Sequence, residues 1–153
     1  MCNKGLKVAE LFTKAVASTK CFDQNLRKVK VVCCGEGKMV TEFQVGPEHL
    51  NQRGTLHGGF IAHLVDAIST YALTTNEKVD TRGVSLDLSI SYLSAAREGE
   101  NIEVEAVTIK TGRSKFRTQV RTDNQLLELQ TNKSACNQNY CKVALAPKPD
   151  SKP

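Results

Sequence analysis

The sequence predicts an α+β fold in which a single antiparallel sheet curls around one helix, and three features carry the prediction. An apolar stretch from Phe60 to Leu73 repeats at helical spacing, the run from Val84 to Tyr92 alternates apolar and polar residues, and Gly35-Glu36-Gly37-Lys38 separates two β-rich segments. A helix and a sheet that each carry one apolar face cover one another most simply by packing face to face. With 153 residues, 40% of them hydrophobic, the chain is the size of one domain with a core of its own.

The elements follow in order. Residues 1–20 hold four lysines, one acid (Glu10) and no arginine, a composition that superficially suggests a transit segment. Val8, Leu11, Phe12, Ala15 and Val16 nevertheless fall at helical spacing, so an amphipathic helix packed on the domain is the preferred reading. Lys28 to Cys34 and Met39 to Val45 read as two antiparallel strands joined by the glycine-rich turn, and Gly46-Pro47 ends the second. A loop from Glu48 to His57 then leads to a helix from Gly58 to about Thr75. On its wheel Phe60, Ile61, Leu64, Val65, Ala67, Ile68, Tyr71 and Ala72 form the apolar face, and His63, Asp66, Ser69, Thr70 and Thr74 form the other. No Lys, Arg or Glu occurs between Gly58 and Asn76, which marks that second face as the lining of an interface or pocket.

From Gly83 strict alternation sets Val84, Leu86, Leu88, Ile90 and Tyr92 against Ser85, Asp87, Ser89 and Ser91, predicting a half-buried strand with the serines outward. Asn101 to Lys110 and Lys115 to Thr122 continue the β pattern around turns at Glu98-Gly99-Glu100 and Thr111-Gly112-Arg113, with Gln125 to Thr131 as a last strand.

Composition excludes several function classes. The net charge of +5 comes from scattered Lys and Arg residues, which argues against a nucleic-acid interface and suits a small polyanionic ligand equally well. The apolar stretch carries His63 and Asp66, so no membrane insertion is expected. The six cysteines (Cys2, Cys21, Cys33, Cys34, Cys136, Cys141) are expected to be reduced thiols. Cys33 and Cys34 point to opposite faces of a strand, and Cys136 and Cys141 lack a second ligand pair, so no metal site is predicted.

The segment Asn51-Gln-Arg-Gly54-Thr55-Leu56-His57-Gly58-Gly59 reads as a reaction centre. A helix opening at two glycines leaves its first N–H groups without intrahelical partners and lets a substrate oxygen approach them closely. They lie at the positive end of the helix dipole, where they can stabilise an oxyanion formed on attack at a carbonyl or thioester. Asp66, eight residues past Gly58, supplies the acid, but the two lie about 12 Å apart along one helix. A single carbonyl cannot touch both, so the spacing predicts a site shared between two subunits of a two-fold dimer.

These residues resemble the hotdog-fold thioesterases, and within their PaaI-like branch the group of small acyl-CoA thioesterases. The likeness covers Val8 to about Thr122 and rests on Asn51-x-x-Gly54-Thr55-Leu56-His57-Gly58-Gly59, Leu64-Val65-Asp66, Val84-Ser85-Leu86-Asp87 and Tyr92-Leu93-Ser94 in order and spacing. The resemblance implies a hotdog domain over residues 1–135, an antiparallel sheet wrapped around a long central helix, followed by a disordered C-terminal tail over 136–153. It implies hydrolysis of medium- and long-chain fatty acyl-CoA without a cofactor, in the cytoplasm or the mitochondrion, by a homodimer that pairs into a dimer of dimers. Gly58 would then give the oxyanion-hole N–H with His57 beside it. Asp66 would be general base or nucleophile, Asn51 would place the water or polarise the thioester, and Ser85 would orient the water. The coenzyme A nucleotide would lie along Tyr92, Leu93, Ser94 and Arg97 and along Lys110, Gly112, Arg113, Ser114 and Lys115, the cationic members serving as phosphate partners.

The likeness fails from Leu126 to Cys141, where the family's small-residue, glycine, His-Thr-Lys pattern is replaced by either a divergent strand or an alternative C-terminus. That departure keeps a non-catalytic acyl-CoA binding module as an alternative. A hotdog hydratase or dehydratase is the other, although the histidine with a longer acid that such sites use is absent. Singly, each residue has a plain reading: His57 as a loop residue satisfied by backbone bonds, Asp66 as a solvated helix acid, Ser85 as exposed, Arg113 and Lys115 as a solvated turn.

Overall fold

The computed structural model describes residues 3–79, 83–92, 94–111, 115–122, 125–132 and 145–147. The first helix, α1 (Asn3–Ser18), buries Gly5, Val8, Phe12 and Val16, a stripe at spacings of three and four. Leu11, which the sequence placed on that stripe, is instead exposed. Gly5 lets α1 lie against the sheet, because a Cβ there would overlap the Cys34 carbonyl. The expectation of a packed amphipathic helix therefore holds, with its apolar stripe rotated toward Gly5.

The strands are β1 (Lys30–Gly35), β2 (Lys38–Gln44), β3 (Val84–Ile90), β4 (Asn101–Thr111), β5 (Lys115–Thr122), β6 (Gln125–Asn132) and β7 (Leu145–Pro147). Between β1 and β2 the chain turns at Glu36 and Gly37, both with positive φ (54° and 81°), as a two-residue hairpin of the primed type requires. All the strands join one antiparallel sheet in the order β1-β2-β4-β5-β6-β3, with β7 also paired to β4. Cys33 is exposed and Cys34 buried, as their adjacency on a strand demands.

The second helix, α2 (Gly58–Thr74), packs on β2, β3, β4, β5 and β6, so the sheet wraps it as predicted. Its core side chains Leu64, Val65 and Ile68 meet Met39, Phe43, Val104 and Ala106 from the sheet in one cluster. Phe12 of α1 closes it from the side, edge-on to Tyr71 at 5.0 Å between ring centroids. Ser69, which the helical wheel assigns to the polar face, is fully buried and donates to the Asp66 carbonyl at 3.1 Å.

Three sequence expectations change. Strand β3 does not open the meander that follows it; it pairs with β6 at the far edge, and its sequence neighbour β4 lies between β2 and β5. Its alternation is also broken, because the register with β6 shifts between Ser85 and Asp87. An extra residue in a strand turns the following side chains to the opposite face. Ser85 thereby shares the helix-facing side with Leu88 and Ile90, while Val84, predicted inward, is 75% exposed. Lastly, Leu145–Pro147, inside the stretch read as a disordered tail, pairs with Ile102–Val104. Strand β5 covers β4 only from Glu105 onward, which leaves the backbone groups of those three residues open to a further strand.

Candidate functional site

Four N–H groups at the start of any α-helix lack an intrahelical acceptor, and at α2 they can be assigned one by one. His57 is the N-cap; its own N–H goes to the His49 carbonyl at 2.8 Å. Its Nδ1 accepts the Gly59 N–H at 2.9 Å, and its carbonyl accepts the Phe60 N–H at 2.9 Å as well as Ile61 at 3.1 Å. Of the four donors without an intrahelical acceptor, His57 takes two (Gly59 and Phe60) and the His49 carbonyl takes a third (His57 itself), and the Gly58 N–H alone has no acceptor among the described residues. With Nδ1 accepting, the neutral His57 ring carries its proton on Nε2, on an exposed side chain able to donate outward.

The loop before the helix is held by Asn51. Its Oδ1 accepts the N–H groups of Arg53 (2.9 Å) and Thr55 (3.3 Å), and its Nδ2 donates to Thr55 Oγ1 at 2.8 Å. Asparagine closes such turns readily, and here it shapes the approach to Gly58 rather than projecting free into it. His49 is the piece that sequence patterning does not single out, since an isolated histidine in a ten-residue loop shows no periodicity. It is 2% exposed, stacked on Phe60 at 4.4 Å and 16° and edge-on to Phe43 at 5.4 Å, and its Nδ1 accepts the Gly46 N–H at 3.0 Å.

Asp66 is half-buried in the middle of α2, and Ser85 Oγ donates a hydrogen bond to its Oδ1. The register shift in β3 is what delivers that hydroxyl. Ser85 therefore holds the carboxylate directly, with its lone pairs still able to accept from a water. His63, one turn earlier, is nearly covered by Phe22, whose ring centroid lies at 4.6 Å, and its Nε2 sits 3.5 Å from Asp23 Oδ1. Burial holds the His63 pKa below its ordinary value, with Asp23 and then Asp66 opposing that shift. Part of the predicted interface face of α2 is thus covered by the chain's own 22–23 segment.

The residues expected to hold a nucleotide fall in two places. Tyr92 donates to the Gly58 carbonyl at 3.1 Å, and burial raises its phenol pKa. Arg97 pairs in an isolated bridge with Thr55, and Leu56 N–H donates to the Ala96 carbonyl at 2.8 Å. Tyr92 and residues 94–97, with exposed Ser94 among them, therefore lie along the Asn51–Gly58 loop. Lys110 is at the other end of β4, about 30 Å from Asn101 at strand rise. That end belongs to the C-terminus of α2, since Thr75 Oγ1 accepts the Gly37 N–H and the Gly37 carbonyl accepts that of Thr108. Lys115 begins β5 beside it, while Leu93, Gly112, Arg113 and Ser114 lie outside the described residues. A single chain does not bring the two groups together.

A cleft of about 760 Å³ lined by Arg27, Lys28, Lys30, Glu42 and Glu103 contains none of the predicted site residues. Its mixed charges offer no convergent chemistry, whereas the open helix terminus does. Among the described residues, no three His, Cys, Asp or Glu side chains converge on a position that could hold a metal ion, and no helix is long and apolar enough to cross a membrane.

Residues 53–125 match the family model described as the thioesterase superfamily. The human protein acyl-coenzyme A thioesterase 13 is 41% identical over 112 residues, which span 73% of this chain and 79% of that protein. Zebra fish thioesterase superfamily member 2 superposes with a TM-score of 0.77 at 36% identity, covering 86% of this chain and 98% of the other. The mouse member 2 structure gives 0.69 at 35% identity, covering 88% and 89%.

Proposed function

The chain belongs to the thioesterase superfamily and is a thioester hydrolase; from that premise we propose that its substrate is a medium- or long-chain fatty acyl-CoA, cleaved at sites shared between two subunits. The observation that carries the reading is the Gly58 N–H, the one donor of the α2 terminus left over among the described residues when His57 and His49 have taken the others.

In this mechanism the thioester oxygen rests on the Gly58 N–H, with the His57 Nε2–H beside it. Asp66, held by Ser85, takes a proton from a water whose oxygen adds to the carbonyl carbon. The negative charge that develops on the carbonyl oxygen falls at the helix N-terminus, where the fixed dipole favours it. Collapse breaks the carbon–sulfur bond, the fatty acid departs, and the proton held by Asp66 neutralises the leaving thiolate. No covalent intermediate is needed if Asp66 acts as base.

Gly58 and Asp66 of one helix lie about 12 Å apart, so each belongs to a different site. A two-fold partner with its α2 antiparallel would set the Asp66 of one subunit beside the Gly58 of the other. The same operation would bring the end of one sheet that carries Lys110 toward Tyr92 and Arg97 of its partner. One symmetry element thus accounts for both separations, and that economy supports the dimer.

The test is release of free thiol across an acyl-CoA chain-length series. Asp66→Asn should lower kcat by about 10²-fold or more with KM little changed, the size expected on losing a general base. Co-expression of Asp66→Asn with a chain carrying Asn51→Ala and His57→Ala should restore activity in tagged heterodimers, because one of their two sites is intact. Heterodimers as inactive as either parent would place both halves of the site in the same chain. An Asp66→Asn enzyme with unchanged kcat would remove that residue from the chemistry.

A further inference from the structure

His49 does more than fill space beneath the loop. Its side chain is almost wholly buried between Phe43 and Phe60, and each of its connections leads to a different part of the loop-to-helix junction. The Nδ1 atom takes the Gly46 N–H, fixing the chain where β2 ends. The carbonyl takes the His57 N–H at 2.8 Å, fixing the N-cap. The ring stacks on Phe60 in the first turn of α2, two residues from Gly58. Residue 49 therefore ties the entry of the loop, its exit and the helix start to one rigid aromatic plate.

The second ring nitrogen identifies the state in which this works. Since Nδ1 accepts, the neutral ring has its proton on Nε2, and that atom is buried with no hydrogen-bond partner among the described residues. Glu48 Oε1 approaches to 3.6 Å, beyond hydrogen-bond range, and is engaged by Lys28. A buried N–H left unpaired costs stability that an apolar ring of the same shape would not. Protonating Nδ1 would break the bond to Gly46 and place a charge between two phenyl rings. Burial holds the His49 pKa below its ordinary value; Glu48 opposes this and Lys28 adds to it.

We infer that His49 is a positioning residue, which acts through His57 to hold the Gly58 N–H in place for the oxyanion. The inference rests on the reading of Gly58 given above. It requires that His49 influence turnover without touching substrate, since reaction rates respond steeply to misplacement of a stabilising donor.

Two variants separate the parts. His49→Phe keeps an aromatic ring in the stack and deletes the acceptor for Gly46; His49→Asn keeps an acceptor near the Nδ1 position and deletes the ring. His49→Phe, without the acceptor, and His49→Asn, without the ring, should each lower kcat roughly tenfold with KM unchanged, in proteins whose far-ultraviolet circular dichroism is native. Gly58→Pro, assayed in parallel, removes the donor itself. If Gly58→Pro retains full activity, the oxyanion reading fails before His49 is considered. If Gly58→Pro is impaired while folded His49→Phe turns over like wild type, or raises KM alone, the positioning role is overturned. Should neither His49 variant fold, the wild-type protein still decides. Long-range ¹H–¹⁵N correlation should show an unprotonated Nδ1 at His49 whose shift moves when a ketone analogue of acyl-CoA, with the carbonyl in place of the thioester, is added. A protonated Nδ1, or ring shifts that ignore the bound ketone, would overturn the inference.

Discussion

At its C-terminal end, α2 hands the carbonyls of Tyr71, Ala72 and Leu73 to groups of the same chain. Tyr71 accepts from Thr74 Oγ1 at 2.7 Å, Ala72 from the N–H of Thr75 at 3.1 Å and from its hydroxyl at 2.7 Å, and Leu73 from the Asn76 N–H at 3.1 Å. Beyond them Lys4 of α1 reaches across to the carbonyls of Asn76 (2.6 Å) and Val79 (3.0 Å), and buried Thr75 also accepts from Gly37. At the N-terminal end three donors are satisfied and the fourth, at Gly58, is left open. Both ends pose the same electrostatic problem, unpaired backbone groups at the tip of a dipole. The C-terminal end ties the helix to α1 and to the β1–β2 hairpin and serves stability. The other end leaves the Gly58 N–H without an acceptor among the described residues, the donor that the proposed mechanism gives to the thioester oxygen.

If that contrast is right, damage at the two ends should read out in different measurements. The largest effect is expected from Gly58→Pro. Proline suits the first helical position because no intrahelical bond is lost there, and His57, with φ −68° and ψ 126°, already has the extended conformation a following proline demands. A Cβ at this position would lie 3.3 Å from Tyr92 Cε1, so that exposed ring must yield slightly. Turnover should fall by about 10²- to 10³-fold, with a melting temperature close to wild type. Normal turnover would mean that the open N–H has no catalytic use.

Next in size is Thr75→Val, which strands the Gly37 N–H at a buried position. It should cost about 1–3 kcal/mol in denaturant titration, yet leave kcat per folded molecule unchanged. A large loss of kcat without loss of stability would break the division of labour between the ends.

A smaller effect is carried by pH. His49 and His63 are both held below the ordinary histidine value of 6.5 by burial. Unfolded chains therefore take up these protons before folded ones do, and between the two values the unfolded state binds more protons. Stability should be complete above about pH 6.5 and decline as pH falls below it, and His63→Gln should flatten that acid slope. Urea midpoints measured against pH would check this; a slope of the opposite sign would show that the histidines are not held neutral.

Smallest of all, Tyr92→Phe removes one phenolic bond to the Gly58 carbonyl at a half-exposed position. A severalfold decrease in kcat, corresponding to at most about 1 kcal/mol, is expected, with unaltered stability. If KM for acyl-CoA rises while KM for a thioester lacking the nucleotide does not, Tyr92 acts on the nucleotide rather than on the helix terminus.

Much of this architecture is legible in the order of residues because it depends on local periodicity. The 3.6-residue repeat of α2, the glycine pair that opens it, the Gly35–Gly37 hairpin and the strands flanking it are consequences of side-chain spacing and backbone freedom, and the sequence carries both. So is the spacing of Gly58 and Asp66, since helix rise is a constant of the backbone. The family signature adds the reaction type, which no single residue specifies.

What eluded the sequence is set by pairings between distant segments. The alternation of β3 puts Ser85 outward until pairing with β6 shifts its register and turns it onto Asp66. Partners about forty residues away govern that face, and nothing in residues 84–92 announces them. Likewise, His49 gains its meaning from Phe43, Phe60 and the His57 N–H, which surround it only once β2, the loop and α2 have come together. Sequence alone thus determined which residues can form a helix terminus able to hold an anion. Only tertiary structure determined that one N–H there stays free, because which backbone donors find acceptors depends on what the fold brings within hydrogen-bond distance.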